Sequence, residues 1–133
     1  MTLDLVALLR RELEALELVE RRLGAIELLV TAGEVRFLAM ATDEATAAME
    51  QLAALELGRG IALSAAGLDP DVSLDRLAAA APQELAGVFT SLTGQLRAAA
   101  GRLAIRRERV RALVEGAAED GRTRLAHAES VPA

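Results

Sequence analysis

The side chains in this 133-residue chain that could carry chemistry are few in kind: one histidine, no cysteine, no lysine, fifteen arginines and twenty acids. A carboxylate-bridged metal pair in a helical protein draws its ligands from inward glutamates and two Glu-x-x-His motifs. Here the sole histidine, His127, has Arg124 three positions before it, so no metal ligands and no cofactor are expected, and His127 reads as a solvated imidazole. Without cysteine there is no thiol nucleophile, disulfide framework or zinc finger. Gly58-Arg59-Gly60 is a faint echo of a phosphate loop. It lacks the lysine and the strand–loop–helix setting of phosphate binders, and reads as a helix irregularity. Ser64, Ser73, Ser91 and Ser130 have no base within an interpretable motif, and Glu14, Glu17, Glu20 and Glu27 read as the solvated face of a helix. No catalytic residue is assigned, and the expectation is a binding protein, not an enzyme.

Two features stand above this background. Glu12 and Arg106 occupy positions where the apolar pattern calls for leucine. If their helices are antiparallel and the levels match, they form a buried or half-buried pair that fixes register with little net stability gained. Otherwise each snorkels to the edge of a wide apolar stripe. The second feature is the basic stretch from Arg102 to Arg111, interleaved with Leu103, Ile105 and Val110 and followed by Leu113 and Val114. A helix apolar on more than one side has surface left for a partner helix, or else all of it is core and solvated face.

The elements that must position these residues are helical. From Leu5 a four-three spacing runs through Leu9, Glu12, Leu16, Val19, Leu23, Ile26 and Val30, with Gly33 as the cap. A second helix from about Glu34 carries Leu38, Ala41, Ala45, Ala48, Leu52 and Leu55. Thr42, Asp43 and Thr46 predict a kink or break in it, and the Gly67-Leu68-Asp69-Pro70 stretch ends it. Ser73 reads as the N-cap of a short connecting helix stopped by Pro82. The last long helix opens at Pro82 and shows the cleanest stripe: Leu85, Phe89, Leu92, Leu96, Ala99, Leu103, Arg106, Val110, Leu113 and Ala117. The expected fold is all-α, an antiparallel bundle of three long helices plus one short connecting helix with coiled-coil-like packing. It forms a single domain over residues 1–121, with a frayed or disordered tail over 122–133. Acidic residues concentrate in the first helix and arginines in the last, so opposite signs face each other if the two are neighbours.

Composition narrows the partners. Leucine, alanine, glutamate and arginine are good helix formers, and two phenylalanines as the only aromatics argue against a sheet sandwich. A net charge of −5 disfavours nucleic acid, whose phosphates call for basic surface. Arginines interrupt the N-terminal leucines, so neither a membrane span nor a signal peptide is read, and a cytoplasmic protein without stable membrane insertion is expected.

Taken in order, several pieces resemble the FlgN family of flagellar export chaperones over about Leu5 to Leu125. They are the opening Leu8-Leu9-Arg10-Arg11-Glu12-Leu13-Glu14-Ala15-Leu16 and the break at Gly33-Glu34. The leucine-rich second helix follows through Leu55-Glu56 and Arg59, then Ala66-Gly67-Leu68-Asp69-Pro70-Asp71-Val72-Ser73-Leu74, and last a long helix ending Arg111-Ala112-Leu113-Val114-Glu115. Where the family's last helix commonly carries a pair of asparagines, this chain has Arg106-Arg107-Glu108-Arg109-Val110, so no role is carried over from them. The resemblance implies a cytoplasmic chaperone that holds hook-associated flagellar subunits (FlgK/FlgL-like) before type III export, engages the client through its C-terminal helix and meets the export apparatus. The surplus apolar width of that helix then marks Leu103, Val110, Leu113, Val114 and Ala117 as the client-binding surface, with Arg107 and Arg111 at its rim. The alternative is a structural or adaptor coiled coil that self-associates, for which the four-three spacing suffices. Monomer and dimer both remain open.

Overall fold

The computed structural model describes residues 2–130, with side chains from residue 4 on. Helix α1 spans Thr2–Ala32, α2 Leu38–Ala65, α3 Leu74–Ala80 and α4 Gln83–Ser130, with a single 3-10 turn at Val35–Phe37 before α2. The described residues contain no strand.

The helix ends follow from particular residues. Gly33 closes α1 at φ +70°. Its N–H donates to the Val30 carbonyl at 3.2 Å, and the Glu34 N–H donates to that of Leu29 at 2.9 Å. Gly67 closes α2 in the same way at φ +77°, with Leu68 N–H donating to the Leu63 carbonyl at 2.9 Å. Both are Schellman caps, which need a left-handed residue that glycine supplies without a Cβ clash. Ser73 caps α3 by accepting the Arg76 N–H on its hydroxyl at 3.2 Å.

One expectation about α2 differs from what is found, and the tail is helical as far as Ser130. The break at Thr42 to Thr46 does not occur and α2 is one unbroken helix, in which the Thr42 hydroxyl donates to the Leu38 carbonyl at 2.8 Å. Residues 122–130, expected to fray, continue α4 as helix with every side chain exposed. Val131, Pro132 and Ala133 lie outside the described residues.

The packing places α1 in the middle. It lies against both α2 and α4, α3 lies against α4, and α2 and α4 do not approach each other backbone to backbone. Arg22 of α1 meets Glu44 near the start of α2, whereas Leu5 and Leu8 line a hollow with Leu63 near its end, so α1 and α2 are antiparallel. Gly24 faces Arg106, while Glu12 shares a crevice with Thr93 and Leu96, so residue numbers rise together and α1 and α4 run parallel. Successive long helices therefore alternate in direction. The core is built from the expected stripes: Leu9, Leu16, Val19, Leu23 and Ile26 of α1, Ala41, Ala45, Ala48, Leu52 and Leu55 of α2, and Phe89, Leu92, Leu96, Ala99 and Leu103 of α4. Alanines on α2 let its backbone come close to α1, and Phe89 is the largest side chain fully buried.

The helices are unequal in reach. Eight residues on from Gly24 is Ala32, and eight on from Arg106 is Val114, so α1 ends level with Val114. From Glu115 to Ser130, sixteen residues of α4 run on past it, about 24 Å at 1.5 Å per residue.

Candidate functional site

Three places in the fold bring polar or unpartnered groups together. The first is built on Glu12, on the inner face of α1 and only 3% exposed. Its Oε1 lies 3.3 Å from Arg59 Nε of α2 but accepts no hydrogen bond. Burial pushes the Glu12 carboxyl up to about 7, because lost hydration outweighs the attraction of Arg59, and nearby Glu56 adds to the rise. Thr93 of α4, also buried, has no hydrogen-bond partner for its hydroxyl. These groups line a crevice of about 340 Å³ where α2 and α4 stand apart over α1, with the Asp75–Arg97 pair at 2.8 Å on its wall. The Ser73 hydroxyl there is committed to capping α3. A buried acid poised near neutrality can bind or release a proton, but the crevice sets no activated nucleophile beside it.

The second place is the ion cluster of Arg106. Its guanidinium bridges two turns of α1, reaching Glu20 at 3.2 Å and pairing closely with Glu27, which Arg109 also approaches at 3.6 Å. The paired carboxylates, by hydrogen bonds above all, hold Arg106 still more firmly in its charged form. Glu12 and Arg106 thus do not pair with each other. In parallel helices they sit at different levels, and each finds a separate partner, Glu12 on α2 and Arg106 on α1.

The third place is the free end of α4. Of the residues assigned to client binding, Leu103 and Val110 are buried against α1 and belong to the core. Leu113 is half-buried, and Val114, Ala117, Arg107 and Arg111 are exposed. Arg111 is held along its own helix, by Glu108 at 2.5 Å and Glu115 at 2.6 Å, which raises its pKa further. Arg107 forms no ion pair among the described residues. The structure therefore splits the assigned set: two members anchor α4 in the body, and the rest begin a face that continues where α1 has ended. Sequence reading missed Leu125, 61% exposed, which shares that face with Val114, Ala117, Gly121 and Ala128 at spacings of three and four. The signal was present, but only on the 3.6-residue period of a straight helix and not on the 3.5-residue period of a seam.

Among the described residues, no three histidine, aspartate or glutamate side chains come together so as to hold a metal ion, and no helix is long and apolar enough to cross a membrane. The chain matches no family model, no curated protein and no solved structure.

Proposed function

We propose that this protein is a cytoplasmic chaperone of the FlgN kind, which holds hook-associated flagellar subunits before type III export by seating a client segment on the free end of α4. The observation that carries the reading is that α4 outruns α1 while the face that packed on α1 continues in Leu113, Val114, Ala117 and Leu125. A lone helix of about sixteen residues containing Gly116 and Gly121 is marginal in water, so a partner lying along it would gain by covering the apolar face and would stabilise the helix at the same time. A client terminus that folds only on binding spends part of its contact energy on ordering, which keeps the complex releasable for export. The resemblance in order and spacing of elements supplies the client class.

The test is capture of hook-associated subunits by the full chain and by a Val114→Asp/Leu125→Asp variant. Both sites are exposed, so the variant keeps its helicity. Capture by the parent chain and its loss in the variant is the expected result. Equal capture by both would move the client surface off α4, and no capture by either would overturn the chaperone reading.

A further inference from the structure

The crevice around Glu12 has no part in that reading, and its charges do not balance. Asp75 and Arg97 neutralise each other at 2.8 Å. That leaves the carboxylates of Glu12 and Glu56 against the single guanidinium of Arg59, and Glu56 forms no ion pair among the described residues. When Glu12 is ionised, the crevice is one positive charge short.

Its hydrogen bonding is incomplete in the same direction. Glu12 Oε1 and Thr93 Oγ1 are both buried to more than nine-tenths, line the same space from facing helices, and accept nothing. Buried polar atoms are rarely left so, because a group taken out of water without a partner loses its hydration uncompensated. What is missing is a donor that is also a cation. Leu16, Leu74 and Leu96 line the same crevice and supply apolar wall beside the polar groups.

We propose that this crevice binds a primary ammonium group on an aliphatic stem, as carried by a lysine side chain or a small alkylamine. The ammonium donates to the Glu12 carboxylate, the Glu56 carboxylate and the Thr93 hydroxyl, and its stem lies along the leucines. An ammonium has three donors on a compact tip, which suits acceptors that line one crevice from three different helices, whereas a planar guanidinium needs a flat fork of acceptors. The chain contains no lysine, so the ligand comes from outside it. Since Glu12 must be ionised to receive the cation and titrates near 7, uptake releases a proton and strengthens as pH rises. The charged groups facing Glu12 are Glu56 and Arg59 of α2, Asp75 of α3 and Arg97 of α4.

The experiment is a nuclear magnetic resonance titration of the full chain with n-butylammonium chloride and, separately, with N-acetyl-lysine methylamide, following the Thr93 amide and the Glu12 side-chain carboxyl carbon. The expected result is a saturable shift at both, an affinity about tenfold higher at pH 8 than at pH 6, and a Glu12 titration midpoint that falls when amine is present. Glu12→Gln should weaken binding at least tenfold, and the near-isosteric Thr93→Val should weaken it by a smaller factor while leaving the fold unchanged. Tighter binding of the lysine derivative points to a protein ligand, and equal binding to a free amine. No saturable shift, a midpoint for Glu12 that ignores the amine, or equal response to n-butanol would overturn the proposal. No client protein enters the measurement, so its failure leaves the chaperone reading untouched.

Discussion

The Arg106 guanidinium rests over the bare backbone of Gly24, its Cζ 3.7 Å from the point that a β-carbon on that glycine would occupy. The gap is ordinary van der Waals contact, so a methyl group fits without displacing the arginine. Glycine inside a helix costs roughly 0.5–1 kcal/mol relative to alanine. Gly24→Ala is therefore expected to raise thermal stability by about 2–5 °C, whereas Gly24→Leu should lower it by driving Arg106 off its two carboxylates. Melting curves of the two variants decide the matter.

Arg106 itself carries a cluster. Removing it leaves Glu20 and Glu27, both mostly buried side chains, with only the looser approach of Arg109. Arg106→Ala is expected to cost about 1–3 kcal/mol. Much of that cost is the stranded acids, so Glu20→Gln/Glu27→Gln in the same background should recover part of it. A double-mutant cycle by urea denaturation reads the coupling, and additive effects would show that the three groups do not act together.

Glu12 makes stability depend on pH with a definite sign. Its folded pKa, near 7, lies above the ordinary 4.5, so between those values the folded chain holds a proton that the unfolded chain has lost. Its contribution is fully present below about pH 4.5 and is lost as pH rises through 7, on the order of 1–3 kcal/mol. Glu12→Gln should flatten that slope, and its advantage over the parent should appear at pH 8 and vanish near pH 5. Denaturation midpoints across that range test it, and a parallel offset at all pH values would exclude titration as the cause.

Every residue of α4 from Val114 to Ser130 is exposed. A chain ending at Gly116 should therefore melt within about 2 °C of the full chain, a change that corresponds to less than 1 kcal/mol. It should nevertheless lose the client capture described above. A large drop in melting temperature would mean that residues 117–130 support the body.

Much of this architecture could be read from residue order, and particular residues show why. Gly33, Gly67 and Ser73 mark their helix ends because the φ +70°, the φ +77° and the hydroxyl cap are local demands that one residue type satisfies. The α4 stripe from Phe89 to Val110 was legible because a helix with a partner on one side must repeat its apolar residues on that side. What could not be read was pairing between helices. Glu12 and Arg106 both stood out, but whether they meet depends on helix direction and level, which the spacing within each helix does not encode. For the same reason Leu103 and Val110 could not be separated from Val114: all three are apolar residues on one helix, and only the point where α1 stops divides core from surface.

The central place of α1 has a consequence for the order in which the molecule assembles. As the chain leaves the ribosome, α1 and α2 can close into a hairpin across the short 33–37 connection before α4 has been synthesised, since near-neighbour closures are fast. The last helix then zips onto the side of α1 that the hairpin leaves bare. Because the backbones of α4 and α2 do not approach each other, the docking of the last long helix onto that hairpin runs through α1.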